Sequence, residues 1–226
     1  MILLFDLDGT LTDPRPGIVG CIRFALDQLG SPCPSDDVLA TFIGPPLRAT
    51  FATLLETTET SRVEAAMDLY RQRFVCSGLY DNQVYTGVPG MLEQARGMAT
   101  AMYVVTSKPA AYAETIVQHF GLDHHFRKVY GPELDGRRED KVELVAYLLA
   151  SERVDAEAAV MIGDRAADIR SAKANGVGSI GVLWGYGSEQ ELLDAGADVL
   201  CKTPSELTAH LFSETQSNNG LQRTRR

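Results

Sequence analysis

Apolar and polar positions follow two rhythms along the chain. Near the amino terminus Ile2-Leu-Leu-Phe5 is a short unbroken apolar run that stops at Asp6. Runs of this kind read as strands buried on both faces of a parallel sheet. Four more follow later: Ala101–Val105, the weaker Phe126–Tyr130, Ala158–Ile162 and Ser179–Leu183, with Asp198–Leu200 as a last edge strand. Between them the apolar spacing changes to three and four, which predicts helices over about 89–98, 110–120, 140–149, 166–175 and 204–211. Gly121 and Gly176 stop two of these helices, and Ser188-x-x-Glu191 reads as a capping box. Strands and helices in alternation predict a parallel sheet with helices on both faces.

Residues 15–81 keep the helical rhythm without any strand. Ile18, Ile22, Phe24, Ala25, Leu26 and Leu29 carry a first helix, which Gly30 ends. A short helix starts at Ser35-Asp36-Asp37 and reaches about Phe42. A third begins at Pro45-Pro46 and runs through Leu47, Phe51, Leu54 and Leu55. Ser61-x-x-Glu64 reads as the capping box of a fourth, whose stripe of Val63, Met67, Tyr70 and Phe74 suits core packing. The stretch from Gly78 to Pro89 is a return linker. The expected division is therefore a split α/β core of 1–14 and 82–212, an all-helical cap domain of 15–81, and a polar, flexible tail of 213–226. An insertion at the carboxyl end of the first strand is placed to act as a lid over the crevice there.

The chain has 226 residues and a net charge of −9, which argues against a nucleic acid polymer as partner. No apolar run approaches the roughly 20 residues that cross a bilayer, and no basic segment precedes an apolar leader. Cys21, Cys33, Cys76 and Cys201 are scattered without a Cys-x-x-Cys pair. They read as reduced thiols in a cytoplasmic protein rather than a zinc site or a disulfide framework.

The chemistry gathers where strands end. Asp6 and Asp8 close the first strand, and Gly9 permits a turn that lets both carboxylates face one crevice. Thr106, Ser107 and Lys108 follow the second apolar run, Asp164 follows the fourth, and Asp168 lies four residues further on. Carboxylates brought together repel unless a proton or a metal lies between them, and Mg²⁺ suits hard oxygen donors. Lys141 and Lys108 add positive charge near the same edge. An acidic, metal-binding half beside a cationic half predicts an anionic substrate bridging the two.

These residues resemble the haloacid dehalogenase superfamily, in its phosphatase branch of the phosphoglycolate phosphatase type with a helical cap. Phe5-Asp-Leu-Asp-Gly-Thr-Leu11 is similar to the first motif of that family, Val104-Val-Thr106 to the second, Lys141 to the third, and Ile162-Gly-Asp164-x-x-x-Asp168 to the fourth. The resemblance covers nearly the whole chain and implies a Rossmann-like parallel sheet core with an inserted all-helical cap. It implies that Asp6 attacks phosphorus to form an aspartyl-phosphate and that Asp8 acts as general acid and base. The Thr106 hydroxyl and backbone N–H groups near Leu7, Gly9 and Ser107 would hold the phosphoryl oxygens, and Thr10 is a further candidate substrate contact. Lys141 would neutralise phosphate and nucleophile. Mg²⁺ would be held by Asp6, the backbone carbonyl of Asp8 and Asp164, with Asp168 binding the metal directly or through water, or fixing Lys141. Lys141 lacks the Lys-Pro pairing common in the family, which leaves Lys128 and Lys173 as competitors. Lys108 is a candidate substrate contact or a loop cap. Arg48 is a candidate substrate contact from the cap or a solvated helix charge. The adjacent His124 and His125 read as surface loop, and Trp184-Gly-Tyr-Gly187 reads as a structural turn near the strand ends.

A Mg²⁺-dependent phosphatase for a small phosphorylated metabolite is the function this resemblance implies, with phosphoglycolate as the first candidate substrate. The segment Ile43-Gly-Pro-Pro-Leu47 and the altered lysine motif also resemble relatives regarded as 5′-nucleotidases. A phosphomutase would share the four motifs. A dehalogenase would make Asp8 superfluous, and a non-catalytic module would lack Asp6 or Asp8. The expected partners are a small phosphorylated metabolite and no membrane, with the chain a monomer or a homodimer.

Overall fold

The computed structural model describes residues 1–223, with side chains described through Ser213. The chain forms two compact units, one of Met1–Leu11 with the chain from Val84 onward, the other of Thr12–Gln83. Strand β1 (Ile2–Phe5) opens the first unit. Strand β2 (Thr12–Asp13) is followed by helices α1 (Arg15–Gln28), α2 (Asp36–Ala40), α3 (Leu47–Leu54) and α4 (Thr60–Arg73). A π-helical turn, Phe74–Gly78, leads to β3 (Gln83–Val84), which pairs with β2 in a two-stranded sheet. The chain continues with α5 (Val88–Met98), β4 (Ala101–Val105), α6 (Ala110–His119), a 3₁₀ turn (Asp123–His125) and β5 (Lys128–Tyr130). Next come α7 (Lys141–Glu152), β6 (Ala159–Gly163), α8 (Ala166–Ala174), β7 (Gly178–Val182), α9 (Glu189–Asp194), β8 (Val199–Cys201) and α10 (Pro204–Arg223).

The core is a six-stranded sheet in the order β5-β4-β1-β6-β7-β8, in which neighbouring strands run parallel. The winding explains where a site can form. From β1 the chain builds outward through β4 to β5, then crosses back with α7 to start β6 on the other side of β1. Such a reversal opens a crevice at the carboxyl ends of the strands. The register sharpens the point: Phe5 pairs with Val104 on one side and Ile162 on the other, and the Asp6 N–H donates to the Ile162 carbonyl at 2.9 Å. Asp6 therefore leaves β1 level with the ends of β4 and β6.

The unbroken apolar run of β1 is a consequence of its central place. Leu3, Leu4 and Phe5 are fully buried. Leu4 joins Tyr103, Val105, Tyr130 and Met161 of the sheet to Leu144, Val145 and Leu148 of α7. Leu3 and Phe5 point to the opposite face, as strand alternation requires. In the helical unit Phe51, Tyr70 and Phe74 pack as an aromatic row, with the Tyr70 and Phe74 rings stacked at 5.4 Å.

Helix ends differ from the expected ones for local reasons. Asp140 is an N-cap rather than the first residue of α7, since its carboxylate accepts from the Val142 and Glu143 N–H groups. The Ser61-x-x-Glu64 capping box does not form: Ser61 lies inside α4 and donates to Glu59 Oε1 at 2.6 Å, while Glu64 pairs with Arg48. At α9 half of the second box forms, with Ser188 accepting from the Glu191 N–H, but the Glu191 carboxylate is engaged elsewhere. Helix α10 runs past Leu211 to Arg223, through a stretch in which no proline stops it. Residues 224–226 of the expected tail lie outside the described residues. Among the described residues no helix is long and apolar enough to cross a membrane. None of the four cysteines forms a disulfide, and Cys21 and Cys201 are buried.

Candidate active site

Asp6, Asp164 and Asp168 come together at the carboxyl edge of the sheet, each offering a carboxylate oxygen within 4.8 Å of the others. All three are buried, Asp164 completely. Their positions follow from the sheet order, because β1 and β6 are neighbours and α8 begins three residues after β6 ends. Lys141, the first residue of α7, is buried among them. Its Nζ donates to Asp6 Oδ1 at 2.9 Å and forms an ion pair with Asp168 Oδ1. The competing lysines lie elsewhere: Lys128 sits over the Tyr130 ring, and Lys173 pairs with Asp198.

Asp8 belongs to a second pair. Lys108 Nζ lies 2.9 Å from its Oδ1 and 2.8 Å from its Oδ2, with both side chains largely enclosed. Asp8 thus stays near Asp6 while its carboxylate is held apart from the cluster of three. Thr106 is buried, and its hydroxyl accepts from the Lys108 N–H at 3.2 Å. Ser107 is partly buried beside it. Thr10 donates from its hydroxyl to Asp164 Oδ1 at 3.3 Å. Gly9 turns the chain with φ +86°, and a Cβ there would run into the Asp164 carboxylate. Arg48 lies on α3 in the helical unit, where it pairs with Glu64.

The loop after β7 contributes more than a turn. The Tyr186 N–H donates to Asp164 Oδ2 at 2.8 Å, and Trp184 Nε1 donates to the Thr10 carbonyl at 2.9 Å. A Cβ on Gly187 would collide with the backbone carbonyl of Asp164. A further support holds the start of α8: Glu191 accepts from Arg165 Nε and from the Ala166 N–H, each at 2.9 Å. Backbone donors of this kind leave no side-chain signature in a sequence; only the glycines and the Glu191 of the expected box pointed there. Gly187→Ala is expected to destabilise the chain by about 1–3 kcal/mol through overpacking. By displacing Asp164 it should weaken Mg²⁺ binding roughly 10–100-fold. Thermal melts with and without Mg²⁺ check both effects.

The charges do not balance. With all four ionised, Asp6, Asp8, Asp164 and Asp168 would outnumber the ammonium groups of Lys108 and Lys141 by two, in a buried place. Burial pushes the Asp8 carboxyl above its ordinary range despite the opposing Lys108. It pushes Asp164 well above that range, with the Asp6 and Asp168 charges adding to the effect. Asp168 is pushed up to about 6, again by burial, with Lys141 opposing. The Arg165 N–H donates to Asp168 Oδ2 at 2.9 Å, but Oδ1 has no hydrogen-bond partner of good geometry even though Lys141 lies against it. Three converging hard oxygens and an excess charge of two fit a divalent cation such as Mg²⁺. Asp6, Asp164 and Asp168 are the residues whose side chains could hold it.

His124 and His125 correct the surface-loop expectation in part. His124 is exposed, but His125 is buried, because the 3₁₀ turn that carries it packs against α5. Burial and the neighbouring His124 hold the His125 imidazole below its usual range.

A sequence model of haloacid dehalogenase-like hydrolases matches residues 3–182. A 5′-nucleotidase from Pseudomonas aeruginosa is 49% identical over 190 residues, covering 84% of this chain and 86% of the relative. The tyrosine-protein kinase PtkA of Mycobacterium tuberculosis is 35% identical, covering 92% of this chain and 68% of the kinase. A phosphoglycolate phosphatase from Xanthomonas campestris is 29% identical, covering 91% and 93%. Among solved structures, a predicted phosphatase from Clostridium acetobutylicum superposes with a TM-score of 0.89 at 34% identity, covering 94% of this chain and 98% of that one.

Proposed function

From the premise that this chain belongs to the haloacid dehalogenase-like hydrolase family, we propose a Mg²⁺-dependent phosphatase that cleaves nucleoside 5′-monophosphates through an aspartyl-phosphate. The observation that carries the reading is the contact of Lys141 with Asp6, inside a cluster of carboxylates whose excess charge suits one divalent cation. The choice of substrate rests on the relative from Pseudomonas aeruginosa. Phosphoglycolate, which the sequence put first, is the second reading and is supported by the relative from Xanthomonas campestris.

In this mechanism a carboxylate oxygen of Asp6 attacks phosphorus, and the ester oxygen leaves. Mg²⁺, held by Asp6, Asp164 and Asp168 together with the backbone carbonyl of Asp8, would offset the repulsion between the anionic nucleophile and the phosphate. Lys141 aims Asp6 through its hydrogen bond, and offers a second positive charge as negative charge builds in the transition state. Asp8 supplies the proton to the leaving oxygen, and burial raises its pKa in the direction a general acid needs, against the opposing Lys108. The same carboxylate then takes a proton from the water that hydrolyses the aspartyl-phosphate. Lys108 restrains Asp8 beside the reacting group without joining the cluster of three. Thr106 and the N–H groups of the Gly9 turn and Ser107 hold the phosphoryl oxygens. Thr10 acts on Asp164 through its hydroxyl, which makes it a positioning residue. Four cysteines that form no disulfide suit a cytoplasmic setting.

Phosphate release with Mg²⁺ across nucleoside 5′-monophosphates, phosphoglycolate and sugar phosphates tests the reading. Nucleoside monophosphates are expected to give the highest kcat/KM, and chelation with EDTA is expected to stop turnover. A preference for phosphoglycolate would select the second reading. Transfer from ATP to a tyrosine peptide without ester hydrolysis would overturn both in favour of a kinase like PtkA. Glucose 1-phosphate converted to glucose 6-phosphate would mark a mutase.

A further inference from the structure

On the core unit, α5 meets the 3₁₀ turn Asp123–His125. Glu93 stands on α5, and His124 and His125 on the turn. A carboxylate oxygen and one imidazole nitrogen from each histidine lie within 4.8 Å of one another. Although adjacent in sequence, the two rings lie side by side, with centroids 3.9 Å apart and planes tilted by 40°. His125 is only 8% exposed, and its Nδ1 has no hydrogen-bond partner. Glu93 Oε2 is 3.8 Å away, beyond hydrogen-bond reach. A buried ring nitrogen without a partner is uncommon in a folded protein. Here it lies beside two further groups of metal-ligating type.

We propose that Glu93, His124 and His125 form a site for a divalent transition-metal ion of the Zn²⁺ kind, with water completing the coordination. The ion would join α5 to the turn that leads into β5. Two imidazoles and one carboxylate select such an ion over Mg²⁺, which demands oxygen ligands. Donors around a tetrahedral Zn²⁺ stand roughly 3.4 Å apart, so closure needs small side-chain rotations. Glu93 and His124 are exposed and able to make them. The competing contact of Glu93 with Arg96 is a 3.5 Å pair between exposed side chains, which an ion displaces at little cost. The site shares no residue with the Asp6, Asp164 and Asp168 cluster, and it does not depend on the proposed substrate.

Equilibrium dialysis of the untagged chain against Zn²⁺, with millimolar Mg²⁺ present to fill the carboxylate cluster, tests the proposal. The expected result is one equivalent of Zn²⁺ bound at micromolar concentration or below, with a melting temperature raised by several degrees. His124→Ala and Glu93→Gln replace exposed side chains, so both variants should fold. Each should weaken Zn²⁺ binding at least tenfold while leaving Mg²⁺-dependent turnover unchanged. Co²⁺ in place of Zn²⁺ should give a visible absorption band that His124→Ala removes. No Zn²⁺ retained, retention unchanged in both variants, or retention lost instead in Asp164→Asn would each overturn the site.

Discussion

Asp6→Asn is expected to reduce phosphate release by about 10⁴-fold or more, the scale seen when a covalent nucleophile is removed. The amide keeps the shape of the carboxylate but has no anionic oxygen to attack phosphorus. Its effect on the fold should be opposite in sign. Asp6 is one of three carboxylates packed into a buried cluster, and its charge helps to push Asp164, Asp168 and Asp8 above their ordinary range. Removing that charge leaves Lys141 paired with Asp168 and relieves the repulsion. In the absence of Mg²⁺ the variant should therefore melt at or above the temperature of the parent chain. Mg²⁺ should stabilise it less than the parent, because one of the side-chain donors has become neutral. Calorimetry with and without Mg²⁺, run beside a phosphate-release assay, checks both halves. Turnover within a hundredfold of the parent would sink Asp6 as nucleophile. A fall in melting temperature without Mg²⁺ would sink the charge argument.

The acidic residues at the strand ends were legible because an unbroken apolar run ending in a carboxylate is costly unless the charge is used. Asp6, Asp164 and Asp168 were readable as a set once the alternation of strands and helices had fixed a parallel sheet. The sheet order then brought together residues far apart in sequence, such as Thr10 and Asp164, which are 154 positions apart. What the sequence could not carry was the use of each polar group. The Tyr186 N–H is a backbone donor, and any residue at that position would have one. Thr10 and Thr106 both follow strands, yet the hydroxyl of one binds Asp164 and that of the other accepts from the Lys108 backbone. Ser61 matched a capping pattern, but α4 begins one residue before it. The division of labour between the lysines was open for a similar reason. Lys108 and Lys141 are each near the right strand ends, and only the geometry assigns the first to Asp8 and the second to Asp6 and Asp168.

Lys141→Met tests that assignment most severely, because it removes a cation that touches both Asp6 and Asp168. Methionine matches the length and bulk of the aliphatic stem, so the loss is of charge. Breaking a buried ion pair by deleting one partner costs about 3–5 kcal/mol, since the other partner is left uncompensated. For a chain of this size that corresponds to a melting temperature lower by roughly 6–20 °C at pH 8 without Mg²⁺. The deficit should shrink in acid, and its sign can be worked out. Asp168 already titrates near 6, raised by burial and held down by Lys141; without Lys141 it must rise further. A folded carboxyl with a raised pKa takes up its proton before the unfolded one does, near pH 3.9. Its penalty is therefore absent at low pH and grows as pH rises through the folded value. Lys141 itself is held above its ordinary range: burial alone would lower it, and the Asp168 and Asp6 charges outweigh that effect. Its contribution to stability is then fully present below the unfolded lysine value of about 10.4, and it adds no slope between pH 5 and 8. The variant should lie closer to the parent at pH 5 than at pH 8, and Mg²⁺ should recover part of the difference by replacing the lost positive charge. Turnover should fall by about 10²–10³-fold with Mg²⁺ saturating, the scale of one lost electrostatic donor to the transition state. A deficit of equal size at both pH values would mean that Lys141 stabilises the chain by packing, and a variant with full activity would remove Lys141 from the chemistry.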